Sequence, residues 1–65
     1  KAYYDSQLQK VVLPEVGTAY IYSVSGTLIK QVMNVEFVDM SDLPAGVYVV
    51  RGVLTSGEQM IKVLK

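Results

Sequence analysis

The sequence contains no cysteine and no histidine, and these two absences exclude most catalytic chemistry. Without cysteine the chain can build neither a disulfide framework nor a thiolate metal site. Without histidine it lacks the commonest general base and metal ligand, and neither a Ser-His-Asp nor a Cys-His catalytic arrangement can be assembled. We therefore predict that the protein is not an enzyme and uses no cofactor.

Excess charge and long apolar runs are also missing. Six basic and six acidic residues give a formal net charge of zero, and the basic residues are scattered, whereas phosphate binding requires clustered cations. No apolar run approaches the roughly 18 residues of a transmembrane helix, and no signal peptide is visible. We expect no nucleic-acid partner. Because the chain starts at Lys1 and not at Met, we also expect it to be the terminal piece of a longer protein.

What the sequence does contain is typical of a β-protein. Hydrophobic residues make up 51% of the chain and charged residues 18%, which is too apolar for disorder. β-branched and aromatic residues alternate with turn residues at short intervals, and no segment favours a helix. The pattern predicts an all-β fold: a small Ig-like antiparallel β-sandwich of six to seven short strands, forming one domain over residues 1–65, with residues 1–7 as a linker or an edge strand.

Turn residues define the predicted strands. Pro and Gly predict turns at 14–17 and 41–46, and Gly with small polar residues predicts hairpins at 25–26 and 55–58. Gly52, inside the most apolar strand, predicts a bulge or a close backbone approach. In 18–24, Ala19 and Ile21 should face one side, and Tyr20 and Tyr22 the other. The predicted strands cover residues 1–5, 7–13, 18–24, 27–33, 35–40, 47–54 and 59–64.

Two small sheets of this kind expose edge strands. An exposed edge can accept a strand from another protein or exchange one with a second copy of the chain. We therefore keep two alternatives for these edges: addition of a strand from a partner protein, and a strand-swapped homodimer.

The carboxylates offer two weaker alternatives. Asp39 and Asp42 could form an acid–base pair, but they flank a predicted turn, where Asp usually caps backbone amides. With Ser41 they could offer oxygens to calcium, but the spacing of an EF-hand is missing. We favour the structural interpretation and predict no catalytic residues and no metal site.

The tyrosines suggest a further alternative. Tyr20 and Tyr22 lie on one face of a single predicted strand, and Tyr3 and Tyr4 form a second pair, so an exposed aromatic strip could stack on sugars. We favour the simpler interpretation that Tyr20 and Tyr22 cover the core and pair across strands.

Three blocks of the sequence, in order, resemble a known family. Residues 19–30 (AYIYSVSGTLIK) combine a short apolar strand, a Gly turn and a second strand. Residues 38–51 (VDMSDLPAGVYVVR) contain an LPAG corner followed by Val-Tyr-Val-Val, and the chain closes on Gly57 and MIKVLK. This order resembles the C-terminal sorting domains of the type IX (Por) secretion system over residues 19–65. The Pro-Asn-Pro motif frequent in that family before the first strand is absent.

The resemblance implies that the chain directs a cargo protein through the periplasm and across the outer membrane to the cell surface in Bacteroidota-type bacteria. The implied partners are the type IX translocon, a shuttle protein, a sortase-like signal peptidase and the parent cargo domain. Recognition by this machinery would fall on the corner and the terminal strand. The residues concerned are Leu43, Pro44, Ala45, Gly46, Tyr48, Lys62, Val63, Leu64 and Lys65.

Two other functions compete with this interpretation. One is a small adhesion or carbohydrate-binding module of a surface protein. The other is a structural domain that only packs against its parent protein or dimerises by strand exchange.

Overall fold

The computed structural model describes all 65 residues, Lys1–Lys65, and consists of strands joined by turns. No helix in the structure has the length and apolar character needed to cross a membrane. The five strands are β1 (Tyr3–Asp5), β2 (Lys10–Ser23), β3 (Leu28–Asp39), β4 (Val47–Leu54) and β5 (Gly57–Leu64).

All five strands belong to one antiparallel sheet, which curls into a half-barrel. The long strand β2 organises it, because its two halves have different neighbours. Its first residues, from Lys10 to Val12, pair with β1 on one side and β3 on the other. From Gly17 to Tyr22 it lies between β3 and β4. The strand order β1-β2-β4-β5, with β3 along the remaining side of β2, leaves β5 at an edge.

The prediction of an all-β antiparallel fold is confirmed, whereas the predicted sandwich of six to seven strands in two sheets is not, because the chain forms one curled sheet of five strands. At two places where the sequence predicted a break between strands, the structure has one continuous strand. Residues 14–17 do not reverse the chain but lie inside β2, and predicted strands 27–33 and 35–40 are together β3. Pro and Gly mark irregularities in a strand as well as turns, since both disturb the ladder of hydrogen bonds. Of the alternatives for the first residues, Tyr3–Asp5 forms the edge strand β1.

The β2–β3 ladder is interrupted three times. Its register shifts between Val12 and Gly17, between Gly17 and Ala19, and between Ile21 and Tyr22. The middle shift places Asn34 of β3 in a left-handed conformation with φ of 61°, which Asn tolerates better than most residues. Such bulges bend and twist a strand pair, and they curl this sheet.

The β4–β5 ladder is regular. All eight residues of β4 pair in unbroken register with β5, from Val47 with Leu64 to Leu54 with Gly57. Gly52 therefore marks no bulge. It is a close approach, since a Cβ built there would lie 3.2 Å from Leu13 Cδ2.

One concave face carries the core. In β4 every second residue is buried, beginning at Tyr48, while the intervening ones are half-buried. In β2 Ala19 and Ile21 face the core and Tyr20 and Tyr22 the other side, as predicted. The buried set is Ala2, Val11, Leu13, Ala19, Ile21, Val38, Met40, Tyr48, Val50, Leu54 and Val63.

Candidate recognition site at the corner before β4

The predicted corner and the end of the chain lie side by side. Gly46 and Lys65 exchange two backbone hydrogen bonds, each N–H donating to the other residue's carbonyl oxygen at 2.8 Å. They extend the β4–β5 ladder by one pair beyond Val47 and Leu64. The Lys65 ammonium also donates to the Leu43 carbonyl oxygen. Corner and terminal strand therefore form one continuous surface.

Local hydrogen bonds fix the shape of the corner. The Asp39 carboxylate accepts the Ser41 N–H at 2.9 Å, and the Leu43 N–H donates to the Met40 carbonyl at 3.1 Å. These contacts turn the chain directly after β3. The Tyr48 hydroxyl then donates to the Pro44 carbonyl at 2.5 Å, which holds the corner against β4. A neutral hydrogen bond of this kind contributes about 1 kcal/mol.

The nine predicted recognition residues differ in how far they are exposed to solvent. Tyr48 and Val63 are neighbours across the β4–β5 ladder and belong to the buried core, so a partner cannot contact them directly. Leu43 packs against that core, and Lys65 is half-buried. The residues exposed to a partner are Pro44, Ala45, Gly46, Lys62 and Leu64.

Strand β5 also offers a free backbone edge. Gly46 and Lys65 form a hydrogen-bonded pair, and hydrogen-bonded positions alternate along an antiparallel ladder. The N–H and C=O groups of Glu58, Met60, Lys62 and Leu64 therefore point away from β4, where no further strand pairs with β5. The side chains of the same four residues are exposed.

A shallow depression of about 350 Å³ adjoins this surface. The resemblance to sorting domains implied that Ala45, Leu64 and Lys65 belong to the site, and these residues line one side of the depression. The other side comes from the first residues of the chain, which the sequence did not predict as part of any site. Those residues are Tyr4, Ser6 and Gln9. Asp5 holds the loop between them by accepting the N–H groups of Gln7 and Leu8.

The carboxylates of the corner have structural partners. Asp42 forms an ion pair with Lys30, with 3.0 Å between Nζ and Oδ1. Hydrogen bonds from the Ser41 backbone N–H and hydroxyl, together with the charges of Lys30 and Lys10, hold the pKa of Asp39 below its usual value of 3.8 against a smaller opposing effect of desolvation. Asp39 thus caps a backbone amide of the turn, as the structural interpretation predicted, whereas Asp42 instead pairs with Lys30.

The convex face carries a second cluster, around Arg51. The guanidinium lies over the Tyr20 ring, 4.8 Å from its centroid, and Nη1 is 3.5 Å from the Tyr22 hydroxyl. Nε lies 3.3 Å from a Glu58 oxygen, but its N–H is not directed at that oxygen and has no hydrogen-bond partner. The two tyrosines are half-buried by these contacts. Tyr3 is 54% exposed and lies on β1, away from this cluster, so the four tyrosines form no single strip.

Comparison of the chain with protein-family models, with curated proteins and with solved structures found no match.

Proposed function

We propose that this chain is a C-terminal sorting domain of the type IX secretion system, which carries an attached cargo protein from the periplasm across the outer membrane to the cell surface. The observation that carries the proposal is the reciprocal backbone pairing of Gly46 with Lys65. It joins into one surface two of the segments that resemble the family, the LPAG corner and the basic terminal strand.

The free edge of β5 supplies a mode of recognition. A receptor strand adding to this edge would bond the outward-facing backbone groups, and affinity in strand addition comes mainly from such main-chain bonds. The side chains beside them would supply specificity, with Lys62 meeting an acidic group and Leu64 an apolar one. In this proposal the translocon or its shuttle protein provides the receptor strand.

The corner gives the surface a fixed shape. Pro44 and Ala45 are exposed beside the terminal strand, and the Tyr48 hydroxyl and Lys65 ammonium hold the carbonyls of Pro44 and Leu43. A preorganised surface loses less conformational freedom on binding than a mobile loop. We propose that Tyr48 and Val63 act by positioning the exposed residues, which accords with their burial. The curled sheet would serve here as a compact Ig-like sorting domain.

A reporter fusion tests this proposal. Residues 1–65 are attached to the C-terminus of a periplasmic reporter in a host with a type IX system, with and without residues 59–65. We expect the intact fusion at the cell surface and the truncated one in the periplasm. Retention of the intact fusion in the periplasm, with a longer natural linker included as a control, would refute the proposal.

Charge reversal separates recognition from folding. Lys62→Glu changes an exposed side chain of β5, and Lys1→Glu makes the same change at an exposed residue outside the strands. We expect K62E to lower surface display about 10-fold, because the acidic partner group is then repelled, and K1E to leave it unchanged. Equal display of the two variants would exclude recognition through Lys62.

The Arg51 cluster favours a second candidate, a carbohydrate-binding module. Tyr20 and Tyr22 lie on the same face of β2, with the Arg51 guanidinium over the Tyr20 ring and 3.5 Å from the Tyr22 hydroxyl, and aromatic rings beside a polar group are suited to a sugar ring. Titration with a panel of glycans tests this candidate. Binding that disappears in both Tyr20→Ala and Tyr22→Ala, while Tyr3→Ala retains it, would favour the module over the sorting domain.

A further inference from the structure

The edge of β5 differs from the other long edge of the sheet. Bulges and the left-handed Asn34 interrupt β3, and such features protect an edge against pairing. Strand β5 carries no bulge, because its register with β4 is unbroken over the whole strand. Of the two long edges, only that of β5 is regular enough to pair with another strand over its full length.

The side chains along this edge complement a second copy of themselves. If two β5 strands pair antiparallel about a twofold axis at Met60, Glu58 of each copy lies opposite Lys62 of the other. Both residues have outward-facing backbone groups, as does Met60, so about six backbone hydrogen bonds would form in this register. Moving the axis by two residues, to Glu58 or Lys62, would place like charges opposite each other, which is unfavourable.

The remaining side chains suit the same register. Met60 is 62% exposed and would meet its symmetry mate on the axis, which would cover apolar surface. On the concave side the half-buried Gln59, whose Oε1 accepts the Ala2 N–H of its own chain at 2.6 Å, would lie opposite the half-buried Ile61 of the second copy. Glu58 would lie between Arg51 of its own chain, whose Nε is 3.3 Å away, and Lys62 of the second copy.

We propose that the chain forms a twofold-symmetric homodimer in which the two β5 strands pair edge to edge about Met60, joining the two half-barrels into one continuous sheet. No strand is exchanged between the copies, which distinguishes this dimer from a strand-swapped one. It does not depend on the proposed sorting role. A receptor strand and a second copy would compete for the same edge.

Sedimentation velocity on the purified 65-residue chain tests the dimer. The chain of 7.2 kDa should approach twice that mass as its concentration rises, with a dissociation constant on the order of 100 µM for an interface this small. A chain that stays monomeric up to about 1 mM would overturn the proposal.

Two charge variants test the register. In E58K like charges face each other across the axis, and the same holds for K62E, so each variant alone should dimerise about 10-fold more weakly. Mixed in equal amounts they should form a heterodimer as strong as the wild-type homodimer, because every cross-strand pair is again of opposite charge. Glu36→Lys, the same charge change as E58K but at an exposed position of β3, is the matched control and should dimerise like the wild type.

Circular dichroism of each variant checks that it is folded. Restoration on mixing supports the register, since two unfolded or otherwise damaged chains would not restore each other. Dimerisation of E58K and K62E as strong as that of the wild type, or failure of the mixture to exceed its components, would overturn it. All these measurements use the purified chain, so failure of the dimer proposal does not contradict the proposed export activity. Failure of export likewise does not contradict the dimer.

Discussion

The two hairpins of the molecule differ in how regularly their strands pair. The β2–β3 hairpin is long and its register shifts three times, and only Val38 is buried among the residues of β3. The β4–β5 hairpin is short and regular, and β4 buries every second residue. Both hairpins contribute to the core, so the difference lies in the pairing: the irregular hairpin bends the sheet, and the regular one supplies the unbroken ladder that ends at the candidate site.

A substitution at Gly17, where the two hairpins meet, should destabilise the protein most. Gly17 pairs with Val35 on one side and Leu54 on the other, and an added Cβ would lie 2.5 Å from the Val53 carbonyl oxygen. Gly17→Ala should therefore lower the free energy of unfolding by about 2–4 kcal/mol in urea titrations.

Gly26→Ala is the control for that measurement. Gly26 has φ of 94° but no atom within 4 Å of an added Cβ, so only conformational strain of about 1 kcal/mol is expected. If the two variants were equally stable, steric closeness at the meeting of the hairpins would not be the reason for a glycine at position 17.

A smaller effect should follow from changing the bulge in β3. Asn34 is exposed with φ of 61°, a conformation that strains a β-branched residue. Asn34→Val should cost about 1–2 kcal/mol of unfolding free energy. Asn34→Gly should stay within about 0.5 kcal/mol of the wild type, since glycine adopts this conformation freely. A stabilising N34V would show that the left-handed residue is not required, and that the hairpin can be made regular.

The corner before β4 should respond more weakly. Tyr48→Phe keeps the buried ring but removes the hydroxyl that donates to the Pro44 carbonyl. Because Pro44 is exposed, water can replace the lost donor, and we expect a loss of about 0.5–1 kcal/mol in urea titrations. Tyr3→Phe, at an exposed tyrosine on β1, should change the stability by less than about 0.3 kcal/mol. Equal losses of unfolding free energy in Tyr48→Phe and Tyr3→Phe would contradict the conclusion that the Tyr48 hydroxyl holds the corner in place.

The smallest effect concerns pH and the turn after β3. The folded pKa of Asp39 lies below its usual value of 3.8, so the folded state binds fewer protons at this group than the unfolded state. Its contribution to stability is complete above that usual value and is lost as pH falls through the lowered folded pKa. In Asp39→Asn the urea midpoint should fall less steeply with acid than in the wild type. If the urea midpoints of the wild type and Asp39→Asn fell equally steeply with decreasing pH, the Ser41 hydrogen bonds would not favour the ionised form of Asp39.

Local features of the sequence predicted much of the fold. The alternation of Ala19 and Ile21 with Tyr20 and Tyr22 is confirmed, because a strand with one buried face imposes a period of two. The hairpin at Ser25 and Gly26 is confirmed as well. The turn predicted at 14–17 is wrong. A Pro and a Gly in one short segment are compatible with both a turn and a bulged strand, and only pairing with β3 and β4 decides between them.

The candidate site was predictable residue by residue but not as an arrangement. The LPAG corner and the terminal strand were identified separately by resemblance. The same alternation that identified Tyr20 could have shown that Tyr48 and Val50 share a buried face. No signal in the sequence indicated that Tyr4, Ser6 and Gln9 would line the adjoining depression.

Residue types and their short-range spacing are enough to predict the class of secondary structure, the positions of the tight hairpins and the absence of histidine and cysteine chemistry. Three other features become visible only in the folded chain: Gly46 pairs with Lys65, β2 runs unbroken through Pro14, and β5 is left as a regular edge. These features depend on contacts between residues far apart in the chain. Local preference cannot select among such contacts, because they become favourable only when the sheet curls and buries its concave face.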